Sequence, residues 1–180
     1  MRVIAGKAKG TNLKTPDGML TRPTTDRVKE ALFSIIQFDI PNAVVLDLFG
    51  GTGQLGIEAL SRDAKEAVFV DSQKNACNLI KENLKRAHLD DKAQVVCSGY
   101  TVFLKKTVKT YDIILLDPPY AENFLENALK LITEIDILQS GGIIVTERPA
   151  EKSLDLDFPG FTRSKDYKYA STILTIYRKD

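Results

Sequence analysis

From about residue 43 the chain repeats one unit, a short apolar and β-branched run followed by a stretch whose apolar positions lie three and four apart. The runs at 43–49, 67–71, 94–97, 111–117 and 142–147 predict strands, and the stretches 54–62, 72–88, 100–107 and 123–138 between them predict helices. Strands that alternate with crossover helices predict a parallel sheet covered on both faces, an α/β fold. Ahead of this pattern, residues 25–37 place Val28, Ala31, Leu32, Ile35 and Ile36 on one helical face, with Thr24 or Thr25 as cap and Asp26 favourable to the helix dipole. The tail differs. Residues 161–169 and 171–178 read as two strands with no helix between them, which predicts an antiparallel hairpin at the sheet's edge. Residues 2–5 and 11–14, with Gly6 and Gly10 between, predict a small separate hairpin. No repeat or linker interrupts the chain, so its 180 residues predict a single domain.

Composition narrows the chemistry. With 43% hydrophobic and 27% charged residues the chain is neither disordered nor low in complexity. Every charge-free stretch falls well short of the about 20 apolar residues that span a membrane, and lysines occupy the N-terminus where a signal peptide would be apolar. The expectation is a cytoplasmic protein without a membrane partner. Only Cys77 and Cys97 accompany the sole histidine, His88, so no metal site is expected, and His88 reads as a surface residue near a helix end. A monomer is expected because no exposed heptad is present. Charge is uneven. Residues 1–22 carry five cations (Arg2, Lys7, Lys9, Lys14, Arg22) against Asp17, a balance of +4, so the remaining residues carry 20 cations against 23 anions, −3. A basic arm on a mildly acidic body suits contact with phosphates at one end.

Asp47 ends the first predicted strand, and Gly51-Thr52-Gly53-Gln54-Leu55-Gly56 follows it into a helix, with Asp71 ending the second strand 20 residues after Gly51. The literal GxGxxG match is the dinucleotide fingerprint, so an NAD-dependent oxidoreductase is one reading. Glycines bring the backbone and a helix N-terminus to the ligand, and Asp71 is placed to accept from ribose hydroxyls. Asp47 separates the alternatives. An acid before the turn repels a pyrophosphate but favours a ligand carrying an ammonium and a sulfonium, as S-adenosylmethionine does. The spacing Asp47-x-Phe49-x-Gly51-x-Gly53 resembles the first motif of class I methyltransferases.

The fourth apolar run ends in Asp117-Pro118-Pro119-Tyr120, 66 residues after Gly51. Two prolines stop the strand and stiffen the loop at its carboxyl end, the edge where ligands bind in open α/β sheets. An exocyclic amine on a base is a poor nucleophile because its lone pair is delocalised into the ring. Acceptors on its hydrogens, the Asp117 carboxylate and the Pro118 carbonyl, localise that pair and stabilise the positive charge that develops on nitrogen. Tyr120 offers a face on which a flipped-out or single-stranded base can stack. The loop is similar to the Asn/Asp-Pro-Pro-aromatic motif of amino-group methyltransferases, which include adenine N6 methyltransferases acting on DNA or RNA.

Taken together, RVIAGKAKGTNLKTP, RPTTDRVKE, the glycine loop with its GIEALSR helix, DPPY and the closing KYASTILTIYRK resemble the RsmD family over nearly the whole chain. Its members are bacterial methyltransferases of small-subunit (16S) ribosomal RNA that modify guanine at N2. The resemblance implies a class I, Rossmann-like fold with a mostly parallel seven-stranded sheet, an antiparallel C-terminal hairpin and an N-terminal extension. It divides the single domain into a basic RNA-binding extension, 1–22, and a catalytic core, 23–180. It further implies S-adenosylmethionine as donor, held by Asp47, Phe49, Gly51, Thr52, Gly53, Asp71, Ser72, Ser98 and Tyr100. Asp117, Pro118, Pro119 and Tyr120 form the catalytic loop, and Arg2, Lys7, Lys9, Lys14, Arg22 and Arg27 meet the RNA, free or in the assembled small subunit. Cys97-Ser98-Gly99-Tyr100 departs from the family, which often has an acid or amide here for the donor's adenine, so backbone groups, Ser98 or Tyr100 must serve. Ala170-Ser171 stands where the family often has Gly-Asp, a change confined to a turn.

Overall fold

The computed structural model describes residues 1–16, 26–120 and 123–180. Its elements are α1 (Asp26–Ile35), β1 (Val44–Asp47), α2 (Gln54–Ser61), β2 (Glu66–Asp71), α3 (Lys74–Arg86), β3 (Ala93–Cys97), α4 (Tyr100–Lys106), β4 (Tyr111–Leu116), α5 (Phe124–Ile135), β5 (Leu138–Pro149), β6 (Phe161–Arg163), β7 (Tyr167–Tyr169) and β8 (Thr172–Lys179). The sheet order is β3-β2-β1-β4-β5-β8-β6, with β7 also on β8. The first five strands pair in parallel and β8 runs antiparallel to β5. β6 and β7 occupy successive halves of one edge of β8, so the eight strands fill the seven expected positions.

Alternation along each strand builds two cores. Val45, Phe69, Ile113, Leu115, Ile143 and Val145 face α1, α2 and α3, while Leu46, Val68, Ile114, Leu116 and Ile144 face α4 and α5. On α1 the buried face is Val28, Lys29, Leu32 and Phe33, turned slightly from the predicted one. The predicted caps Thr24 and Thr25 lie outside the described residues.

Two boundaries differ from the pattern. The helix expected to reach residue 138 ends at Ile135, because Asp136 is left-handed (φ 58°) and Leu138 pairs with Tyr111 as β5 begins. The strand expected over 161–169 is interrupted, because Asp166 turns its carboxylate to Arg148, Arg163 and Thr175. His88 is exposed at the end of α3 in the left-handed conformation (φ 55°), a surface residue as expected.

The N-terminal segment folds back on itself as expected, but it is not separate from the body. Its strand pairing is one antiparallel bridge, Arg2 to Asn12, and Val3, Ala8 and Leu13 are buried in the core beneath α1 and α2. A single carboxylate holds it there. Glu58, fully buried on α2, accepts from the backbone N–H groups of Ile4 (2.8 Å) and Ala5 (3.0 Å) and from Arg62 Nε (2.9 Å). The buried Lys29 ammonium lies 3.6 Å from the same carboxylate and donates to the Arg2 carbonyl at 2.5 Å, while burial lowers its pKa against the opposing pull of Glu58. Ser61 accepts from the Ala8 N–H and donates to the Ala5 carbonyl. Gly6 must be glycine, because its φ is 81° and a Cβ there would lie 1.8 Å from the Ser61 carbonyl oxygen.

Glu58→Ala strands a buried ammonium and two backbone donors, and is expected to lower the free energy of unfolding by about 3–5 kcal/mol. Urea denaturation monitored by circular dichroism measures this; an unchanged midpoint would show that the carboxylate does not hold the segment.

Candidate active site

Strand order reverses between β1 and β4, so the connections leaving them diverge and open a crevice at the sheet's carboxyl edge. The loops after β1, β2, β3 and β4 all arrive there, bringing Asp47 and the glycine turn, Asp71, Ser98 and the Asp117 loop to one edge.

The glycine turn is drawn tight by Gly53 N–H to the Gly50 carbonyl (2.6 Å) and by Gly50 N–H to Val70 (2.9 Å). Gly51 and Gly53 are left-handed, with φ 56° and 80°. Asp71 braces the turn from the neighbouring strand: one carboxylate oxygen accepts the Gly51 N–H at 2.9 Å and the other the Gln73 N–H at 2.8 Å. Thr52 is fixed through its carbonyl by the Asn83 amide, which also pairs with the backbone of Lys14.

Asp47 is 2% exposed and accepts the Gly56 N–H at 3.0 Å, in the first turn of α2. Burial pushes its pKa up to about 7; the Gly56 bond opposes this, and the nearby charges of Asp117 and Asp71 add to it. A cation is the ligand group that relieves such a site. At the start of α2 the Gln54 side-chain carbonyl, which the sequence pattern does not single out, is buried with no hydrogen-bond partner among the described residues. The edge therefore offers an orphaned acceptor, a buried acid and a left-handed glycine turn, and these fit the ammonium and sulfonium of S-adenosylmethionine.

Phe49, Tyr100 and Phe124 form a three-ring cluster with centroids 5.2–6.3 Å apart. Phe49 and Tyr100 were expected at the donor site. Phe124 was not, although an aromatic opening the helix after the Asp117 loop is placed to reach it. Ser98 donates its N–H to the Asp71 carbonyl (2.9 Å) and turns its hydroxyl to Gly99, while Ser72 is exposed just beyond Asp71.

Beyond β4, Pro118 is buried, Asp117 half-buried and Tyr120 exposed. A cleft beside them is lined by Pro118, Pro119, Tyr120, Leu125, Glu147 and Leu154. Lys152 donates to the Tyr120 carbonyl and ties its far wall to the loop.

The candidate RNA cations separate into two groups. Lys7 pairs with Asp63 (2.6 Å) and, with Lys9, sits at the arm's tip beside Ser61, at the end of α2 opposite the glycine turn. Lys14 lies against Asn83 and, through it, Thr52, and its ammonium pairs with Glu82; Arg2 pairs with Asp26 at the start of α1, next to the exposed Arg27. Arg22 lies outside the described residues. Among the described residues no cluster of His, Cys, Asp and Glu is arranged to hold a metal, and no helix is long and apolar enough to cross a membrane.

The parallel sheet, its antiparallel tail and the acid-flanked glycine turn define an S-adenosylmethionine-dependent methyltransferase of the class I, Rossmann-like type. The family model described as conserved hypothetical protein 95 matches residues 1–178. YlbH of Bacillus subtilis is 40% identical over 99% of both chains, and ribosomal RNA small subunit methyltransferase D of Escherichia coli K12 is 34% identical over 86% of this chain and 77% of its own. The solved structure of yhhF from Escherichia coli superposes with a TM-score of 0.90 at 29% identity, covering 100% of this chain and 98% of that one. The chain belongs to this family, that of ribosomal RNA small subunit methyltransferase D, the RsmD family.

The raised pKa of Asp47 has a definite sign. The free fold keeps a proton that the unfolded chain loses, so this group's contribution to stability declines as pH rises from about 4 to about 7. A bound cation reverses the preference and expels the proton. Affinity for S-adenosylmethionine is therefore expected to climb by up to about tenfold per pH unit below pH 7 and to level off above it. Asp47→Asn should flatten the profile; calorimetric titrations from pH 5.5 to 8 decide, and an unaltered slope in the variant would assign the titration elsewhere.

Proposed function

We propose that the protein transfers a methyl group from S-adenosylmethionine to the exocyclic N2 of a guanine in small-subunit (16S) ribosomal RNA. The observation that carries this reading is the meeting of two sites at one sheet edge, a turn fitted to the donor and a stiff acid-proline loop, close enough that the charge of Asp117 raises the pKa of Asp47. The names of the relatives from Escherichia coli and Haemophilus influenzae support the substrate. A Salinibacter ruber RNA methyltransferase of the same fold, 14% identical with a TM-score of 0.67, was solved with S-adenosyl-L-homocysteine.

Bound at the glycine turn, S-adenosylmethionine supplies a methyl group on a sulfonium, whose C–S electron pair leaves with sulfur as the thioether. The chain's residues prepare the nucleophile. Asp117 and the Pro118 carbonyl accept from the two N2 hydrogens, turn the nitrogen lone pair towards the methyl carbon and stabilise the charge as the N–C bond forms. A carboxylate cannot strip an aryl amine in advance, so the proton leaves with or after transfer, to Asp117 or water. Tyr120 stacks the base. Residues 1–22 act as an RNA-binding extension of the single domain, with Arg2 and Lys14, joined by Arg27 of α1, nearest the reaction and Lys7 and Lys9 gripping more distant phosphates.

The test is transfer of label from S-adenosylmethionine to unmodified ribosomal RNA, free and in small-subunit particles, with the nucleosides separated afterwards. N2-methylguanosine is expected; methyladenosine would overturn the target base. Asp117→Ala should lower kcat by about 100-fold or more with donor affinity kept within about twofold, and normal turnover would remove Asp117 from the chemistry. Lys14→Glu with Arg27→Glu should weaken RNA binding and flatten its dependence on salt more than Lys7→Glu with Lys9→Glu. Filter binding over a range of salt concentrations reads this, and equal slopes for the two pairs would remove the assignment of near and far contacts.

A further inference from the structure

We infer that Glu147 reads the Watson–Crick edge of the target base, accepting the N1–H of guanine beside the N2 amine held by Asp117, and so excludes adenine. The inference rests on the methyl-transfer reading above. β4 and β5 run parallel in the register Leu115 to Val145 and Leu116 to Thr146, so the next residue on each chain is Asp117 and Glu147. Alternation gives both the face of Leu115 and Val145. The two carboxylates thus leave adjacent lanes of the sheet at the same level.

Glu147 is only 4% exposed, yet it lines the cleft formed by Pro118, Pro119 and Tyr120. The strand end that carries Glu147 is rigidly held. Arg148 next to it, 3% exposed, donates to Asp166 (2.6 Å), to the Thr175 hydroxyl (2.7 Å) and to the Lys152 carbonyl (3.1 Å), while the Lys152 ammonium donates to Tyr120. Cleft wall, catalytic loop and Glu147 are therefore one braced unit.

The chemistry of the edge follows. An ionised carboxylate only accepts hydrogen bonds. Guanine presents two neighbouring donors, N1–H and the N2 amine, and two neighbouring carboxylates match them. Adenine, with its amine at Asp117, turns the unprotonated N1 towards Glu147, and two acceptors then face each other in a poorly solvated cleft. Asp117 prepares the amine in either base, so Glu147 is the residue that tells them apart.

The test uses a fragment of small-subunit RNA spanning the guanine that takes the label, and the same fragment with 2-aminopurine there. This analogue keeps the N2 amine but carries a lone pair at N1. The wild-type protein is expected to favour guanine on the order of 100-fold in kcat/KM, the scale of one well-made base contact. Glu147→Gln, whose amide can donate to N1, should reduce that preference to about tenfold or less, with the S-adenosylmethionine Kd unchanged. A variant that keeps the wild-type preference overturns the assignment. So does a wild-type protein that methylates both fragments equally, a result that needs no folded variant. A wild-type protein that labels neither fragment nor intact ribosomal RNA overturns the methyl-transfer reading, and this inference with it.

Discussion

A buried carboxylate on the helix behind the glycine turn sets the terms for much of this molecule. The Glu58 carboxylate, buried in an apolar core, needs donors around it, and the donors come from three places: two backbone N–H groups of the N-terminal segment, Arg62 one turn along α2, and Lys29 of α1. Satisfying it fixes the segment, α1 and α2 relative to one another. Because α2 begins at the turn after β1, the same constraint positions the donor loop. Asn83 works in parallel, joining Lys14 of the segment to the Thr52 carbonyl within the loop. The extension that contacts RNA and the turn that holds the donor in the proposed reaction are thereby parts of one framework.

At the carboxyl edge the governing interaction is repulsion between like charges. Asp47, Asp71 and Asp117 converge there, and Asp47, the most buried of them, holds its proton to about pH 7. Such a cluster is costly while the site holds only acids, and a cationic ligand relieves it. The electrostatics select the ligand as much as the shape of the glycine turn does. A dinucleotide pyrophosphate would meet the acids instead, which is why the literal GxGxxG match is misleading here.

Much of this was legible in the sequence. The alternation of apolar runs and helical stretches gave the order of strands and helices, because burial on both faces of a parallel sheet leaves a near-continuous apolar signature. Asp47, the glycines, Asp71 and the Asp117 loop were visible because each makes a local demand, a left-handed backbone or a strand stop, that few residue types meet. Less local features were hidden. The burial of Lys29 and Glu58 reads in one dimension as two ordinary helix-surface charges, and the interruption near Asp166 depends on Arg148, 18 residues away in the chain.

The fold class, the acid-flanked glycine turn and the Asp-Pro-Pro-Tyr loop could be read from the chain alone, since each is written in short-range periodicity and residue type. Long-range packing alone shows that the N-terminal segment is built into the core, that Lys7 and Lys9 lie at the end of α2 away from the glycine turn, that Phe124 joins Phe49 and Tyr100, and that Glu147 stands level with Asp117. These facts depend on strand register, helix direction and the pairing of buried charges. Such relations join residues tens of positions apart, and the energy that fixes them arises only when the chain closes around them and excludes water.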